Sequence, residues 1–405
     1  MEPRARHALA AVGLAAVLVT VVGATYLKPW RAWTLEPAPA ATVRAAPPRA
    51  AVSVQQAHFL SATVGWVVTG SASLSTLFRT LDGGRHWQRE QAGVAGQGWT
   101  LRFFDARRGV VYAADRNGPV LWKTADGGQR WMRVRPPAPT PPGLIFFADP
   151  SHGFCLAPIG PQPFGAGPMA DRQEVALFRT VDGGASWSQL LRTDQPSTNR
   201  GLGGDGLKTW IGFRDLNAGW IGQTTPGGHA VVYATIDGGD SWVRQELPPP
   251  AAGWGSPVGV FDEGAPALLG TGSAAMVVTP IVQGGNPGSY LLQNWYVYVW
   301  HGSSWADPLR VPGPAFSVVG HTQGRRWWAG NGSTVLESDD AGNHWQAIGN
   351  APNGRLFARF DPIDPDHAWA LLLDPQACGI GLPCGFSLAR TADGGRHWTP
   401  VSAPA

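Results

Sequence analysis

From His58 onward, short apolar runs alternate with turns rich in Gly, Asp and Pro. Runs of this length, with Val, Ile, Phe and Trp prominent, predict strands rather than helices. They come in pairs. "HFLSATVGWVV" from His58, "LRFFDARRGVVYAA" from Leu101, "LIFFADPSHGFCL" from Leu144 and "WIGFRDLNAGWIG" from Trp210 each read as strand, turn, strand, and further versions begin at Val258, Phe316 and Phe357. The second strand often opens on Gly-Trp. Most pairs are followed by a turn of nearly fixed wording: "RTLDGGRHW" at 79–87, "KTADGGQRW" at 123–131, "RTVDGGASW" at 179–187, "ATIDGGDSW" at 234–242, "ESDDAGNHW" at 337–345 and "RTADGGRHW" at 390–398.

All six obey Ser/Thr-x-Asp-x-Gly-x-x-Trp, and this wording resembles the Asp-box, or bacterial neuraminidase repeat. A scaffold role explains it without a substrate. A carboxylate at the head of a tight turn accepts backbone N–H groups ahead of it, Gly tolerates positive φ, and the returning Trp packs on the hairpin. The residues assigned this structural part are Asp82, Trp87, Asp126, Trp131, Asp182, Trp187, Asp237, Trp242, Asp340, Trp345, Asp393 and Trp398. Successive box tryptophans are 44, 56, 55, 103 and 53 residues apart, so the long gap predicts a seventh, decayed copy. "YVYVWHGSSWADP" fills it, with Gly302 and Trp305 in place and Trp300 where the Asp would stand.

Seven such units of four antiparallel strands predict an all-β fold, a seven-bladed β-propeller, with blades at about 52–90, 99–134, 143–191, 207–247, 256–310, 314–348 and 355–402. Every blade is contiguous in sequence, so ring closure rests on the first blade meeting the last near Val52. The same order of motifs after an export signal resembles the photosystem II assembly and stability factor family of chloroplasts and cyanobacteria. That resemblance covers nearly all of the chain beyond its leader through short motifs. It implies a non-enzymatic platform that binds other proteins and helps membrane complexes assemble; it does not imply photosynthesis.

The leader changes where this body works. Arg4, Arg6 and His7 precede an uncharged apolar run from Ala8 to Leu27, which reads as an apolar helix serving for export. It is long enough to stay as an anchor, while Val22–Ala24 fits cleavage by a signal peptidase. Residues 1–30 are therefore a signal peptide or membrane anchor, 31–51 a Pro/Ala-rich tether and 52–405 the propeller, placed extracytoplasmically, at the cell surface or in the periplasm, anchored or secreted. Beyond residue 51 there are 25 basic and 26 acidic side chains, a balance that argues against nucleic acid as a partner. Cys378 and Cys384 bracket "GIGLP" and, in an oxidising compartment, are expected to form a small disulfide; Cys155 reads as a small buried hydrophobe.

No enzyme class gathers its residues. A sialidase-like chemistry needs an arginine triad, a Tyr paired with Glu and an acidic proton donor, yet the six tyrosines fall on strands, in the decayed box, in a Gly-rich loop and in the leader. "DPIDPD" at 361–366 reads as a solvated turn, and His86, His344 and His397 sit on separate hairpins, so no metal or cofactor is expected. The long insertions between blades and between second and third strands are expected on the face opposite the boxes, where Phe164, Met169, Arg172, Arg200, Lys208, Trp254 and Tyr290 are the candidates for contacting a protein partner. The alternative is a secreted glycan-binding or glycoside-hydrolase propeller, marked by Arg, Tyr and Glu converging on the channel mouth.

Overall fold

The computed structural model describes residues 53–71, 74–90, 97–115, 118–140, 143–160, 172–226, 229–251, 253, 259–262, 267–268, 274–283, 290–292, 294–302, 304–313, 318–321, 326–374 and 385–404. The leader, the tether, Cys378 and Cys384 lie outside them. The described strands resolve into consecutive antiparallel meanders. The first is Val54–Phe59, Gly65–Ser71, Leu74–Thr80 and Gln88–Arg89; the second Gln97–Phe103, Gly109–Asp115, Gly118–Thr124 and Met132–Val134. The third is Ile145–Phe147, Gly153–Pro158, Val175–Thr180 and Ser188–Arg192; the fourth Leu207–Phe213, Gly219–Pro226, Val231–Thr235 and Val243–Glu246. The fifth, Gly259–Asp262, Ala274–Gln283, Trp295–Trp300 and Leu309–Val311, carries two extra short strands beside Ala274–Gln283. Val318–His321, Trp327–Asn331, Thr334–Ser338 and Gln346–Asn350 form the sixth, and Leu356–Pro362, Ala368–Leu373, Phe386–Thr391 and Thr399–Val401 the seventh.

The first strands of the first and second, third and fourth, and sixth and seventh meanders touch one another, and the short fourth strands lie at the other edge of each meander. The packing between meanders follows a rule written in the sequence. Phe59, Phe103, Phe147 and Phe213 end their first strands, and six residues later each meets a glycine: Gly65, Gly109, Gly153 and Gly219. The ring lies directly on that glycine; a Cβ there would stand 2.0, 2.6, 2.8 and 2.5 Å from ring carbons, respectively. The other face of the ring belongs to the preceding blade. Phe59 stacks on Trp369 at 3.8 Å, Phe103 on Trp66 at 3.5 Å and Phe213 on Phe154 at 3.7 Å, all within 8° of parallel. Because adjacent strand residues face opposite ways, Gly-Trp makes room for its own blade's Phe and offers the indole to the next.

A basic residue just before the box Ser/Thr adds a stitch from blade to blade. Lys123 Nζ donates to Gly183 O, Arg179 Nη1 to Gly238 O and Arg390 Nη1 to Gly83 O, while Arg79 Nη2 donates to Ala106 O. Arg390 thereby helps join the last blade to the first. Trp87 Nε1 donates to Ser402 O across the same seam, Phe59 N to Asp361 Oδ2, and Val54 pairs with Phe386. Removing one charge-assisted bond at this seam, in Arg390→Ala, is expected to cost about 1–2 kcal/mol. Arg85→Ala, whose exposed side chain makes no such bond, should stay within about 0.5 kcal/mol. Urea unfolding of the full-length variants compares them, and equal midpoints would remove the stitch.

Candidate functional site

The repeated turn has one geometry in six places. In the first, Thr80 Oγ1 donates to Asp82 Oδ1 and accepts the Gly84 N–H at 2.8 Å, and Asp82 Oδ1 accepts the His86 N–H at 2.9 Å. Asp126, Asp182, Asp237, Asp340 and Asp393 accept the N–H four residues ahead in the same way. The second carboxylate oxygen is also engaged in five turns: by His86, His344 and His397 through Nδ1, and by the Ser186 and Ser241 hydroxyls. Trp131, Trp242, Trp345 and Trp398 donate Nε1–H back to the carbonyl of the second turn Gly, whereas Trp87 reaches Ser402 and the buried Nε1 of Trp187 has no partner. The decayed turn keeps its hairpin without a carboxylate: Trp300 bridges Trp305, Gly302 has φ +86°, and Trp305 Nε1 donates to Gln245.

The turn also fixes which end of the blade it occupies. The N–H of Gly83, Gly127, Gly183, Gly238 and Gly394 each donates to a carbonyl in the turn between the first and second strands of the same blade. Both turns therefore close one end. His86 holds Asp82 well below the ordinary carboxylate range through its backbone and ring donors, Ser186 does so for Asp182, and His344 for Asp340. For Asp393, slight burial works upward, but the His397 and Thr391 donors outweigh it and bring the group from 3.8 to about 2. A depressed folded-state value means a contribution present above the ordinary pKa and lost as pH falls through the folded one. The share of stability held by these turns should therefore be lost as pH falls between about 4 and 2, seen as a fall in unfolding midpoints across that window. A midpoint that rose across that window would contradict the turn geometry.

The partner candidates divide. Phe164, Met169 and Trp254 lie outside the described residues, and Tyr290 is described only as the start of the strand Tyr290–Leu292. Arg172 is exposed and pairs with Glu174. Arg200, expected on the face opposite the boxes, lies at the box end. Its connection climbs the outside of blade 4, where the Arg200 carbonyl accepts the Trp242 N–H and its guanidinium reaches Asp240 beside the box turn. Lys208 is a second correction: it lies within a strand, its ammonium fully enclosed, and is not available to a partner.

What encloses Lys208 is a polar network with Asp205 at its centre. Lys208 Nζ donates to Asp205 O and to Gln223 Oε1, and stands 5.1 Å over the Tyr233 ring. The Asp205 carboxylate accepts from Tyr233 Oη, Gln223 Nε2 and Arg244 Nε. One residue of the connection from blade 3 thus touches all four strands of blade 4, while Gln173 N–H donates to Gly204 O from blade 3. Burial pushes Lys208 down to about 8 against the pull of Asp205 and Glu174. Burial would raise Asp205, but Tyr233, Lys208, Gln223 and Arg244 together hold it below its ordinary value. Enclosure of this kind ties blades together. Among the described residues no three His, Cys, Asp or Glu side chains are placed to share a metal ion. Asp364 instead caps its own turn through the Asp366 and His367 N–H groups. Cys155 is buried beside Thr140, and burial pushes its thiol up to about 12.

No protein-family model matches the chain, and no curated protein matches it. Solved structures do. YCF48 bound to a D1 peptide superposes with a TM-score of 0.53 at 18% identity, over 84% of this chain and 92% of that one. The chain is a β-propeller. An ulvan lyase of polysaccharide lyase family 25, bound to a glucuronate–rhamnose-3-sulfate unit, matches with a TM-score of 0.53 at 13% identity, over 88% of this propeller and 96% of the lyase. A puromycin-hydrolysing peptidase of Mycobacterium tuberculosis matches with a TM-score of 0.51 at 13% identity, over 87% of this propeller and 53% of the peptidase. At such identities the likeness speaks to the fold alone.

Proposed function

We propose that this chain is a non-catalytic, seven-bladed propeller of the Asp-box kind that binds other proteins on the outer side of the cytoplasmic membrane, delivered or tethered there by its N-terminal segment. The observation that carries the reading is how the repeats use their polar groups. Each box carboxylate is hydrogen-bonded within its own hairpin, so the most repeated chemistry of the chain holds scaffold in place. A propeller of similar extent holding a peptide, YCF48 with D1, lends support to protein binding; the partner class proposed is a membrane complex. The glycan-binding or sialidase-like reading has its own support in the lyase propeller bound to an acidic sugar.

Photocrosslinkers at position 172, away from the turns, and at position 344, on a turn, separate the two in membranes carrying the full chain. A defined protein captured from one position and absent from the other supports protein binding. Capture of polysaccharide alone from both positions moves the assignment to glycan binding.

A further inference from the structure

The residue immediately before the interblade phenylalanine points the opposite way, toward the next blade at the inner edge of the ring. In successive blades this position holds His58, Arg102, Phe146 and Gly212; in the last blade the residue in the same register is Asp361, before Pro362, and Arg359 lies two residues earlier on that strand. Blades 7, 1 and 2 place Arg359, His58 and Arg102 on their first strands. These groups feel one another. Burial holds the His58 imidazole below its ordinary value, the Asp361 carboxylate works upward, and the charges of Arg359 and Arg102 add to the lowering.

Their hydrogen bonds are unequal. His58 Nε2 lies 3.0 Å from Phe103 O, so Nε2 carries the donor hydrogen and Nδ1 is left without a partner. Arg359 Nη1 donates to Gln56 Oε1, and Asp361 is spent on the Phe59 N–H. Among the described residues Arg102 has neither an acceptor nor a carboxylate partner. Its guanidinium is half-buried over Phe146 at 4.7 Å and Phe104 at 5.6 Å, and desolvation lowers its pKa with no acid nearby to compensate. Two aromatic faces hold the fork in place while its N–H donors remain unspent, the state of an arginine prepared for an oxyanion.

We propose that the inner rim of blades 7, 1 and 2 binds a carboxylate, with Arg102 as the principal donor and His58 and Arg359 beside it. A planar carboxylate matches the guanidinium fork with two parallel bonds. Asp361 already contributes a negative charge to the arc, which disfavours a doubly charged sulfate or phosphate. The site is independent of the protein-binding reading, because the carboxylate of a peptide terminus and that of a sugar acid present the same chemistry.

Isothermal titration of the full chain with N-acetylglycine and with glucuronate, against the neutral N-acetylglycinamide and against sulfate, tests the site and its source. At least one carboxylate is expected to bind, with the amide and sulfate at least about tenfold weaker. Binding of N-acetylglycine alone assigns a peptide terminus, and binding of glucuronate alone assigns a sugar acid. Arg102→Gln should weaken the productive carboxylate by about tenfold, and Arg359→Gln by less, both with unchanged melting temperature. If Arg102→Gln does not fold, Arg102→Lys, which keeps the charge and loses the fork, should show the same direction of loss. Absence of binding by both carboxylates, equal binding of acid and amide, or full affinity in a folded Arg102 variant overturns the proposal.

Discussion

Gly65→Ala is expected to destabilise the full-length protein by about 3 kcal/mol, far beyond the usual effect of adding one methyl group to a strand. The new Cβ would stand 2.0 Å from the Phe59 ring, and that ring cannot retreat because Trp369 stacks on its other face at 3.8 Å. The strain falls on the contact between last and first blades, where the ring closes. Replacing Phe59 by Leu in the Gly65→Ala background should return part of the loss, since a smaller side chain makes room for the methyl group. Urea unfolding of the two single variants and the double variant measures the coupling. Simple additivity would show that Phe59 and Gly65 do not share the space assigned to them.

The second large effect belongs to Asp205. Asp205→Ala should cost about 2–3 kcal/mol, because it takes the carboxylate away from the enclosed Lys208 ammonium, leaving it only the neutral acceptors of the residue 205 carbonyl and Gln223, and removes the acceptor for Tyr233, Gln223 and Arg244 at once. The cost should depend on Lys208. Adding Lys208→Met to Asp205→Ala is expected to restore stability relative to Asp205→Ala alone, because a buried apolar chain of similar length has no charge to satisfy. A double variant no more stable than the single one would mean that the charge of Lys208 is satisfied without Asp205.

These two predictions mark what the sequence discloses and what it conceals. The box turn is legible because its parts are local: hydroxyl, carboxylate, glycine and indole meet within eight residues, and the bonds made by the hydroxyl and carboxylate stay inside the turn. The Phe-to-Gly spacing of six is equally regular in four blades, but its reason is a third residue in another blade, so the wording alone does not reveal the stack. Lys208 is harder still. A lysine after a Gly-rich stretch reads as an exposed loop residue, and only the fold-back of residues 193–206 onto blade 4 supplies the acceptors that allow its burial. Arg200 misleads for the same reason, since its connection travels to the turn end through contacts far away in sequence. The rim arc falls between the two cases. The position before the Phe is regular in the first four blades, yet the place of Arg359 beside it and the packing of Arg102 on Phe146 are tertiary facts.

The measurement that separates scaffold from chemistry most directly is Asp182→Asn, read in parallel for melting temperature and for capture from the crosslinking position 172. Asn keeps the Oδ1 acceptor for the Ser186 N–H while removing the charge that makes these bonds strong. If the repeated aspartates are scaffold, the melting temperature falls by a few degrees, and capture is unchanged. Loss of capture at an unchanged melting temperature would contradict that reading and make the repeated carboxylates part of the working surface.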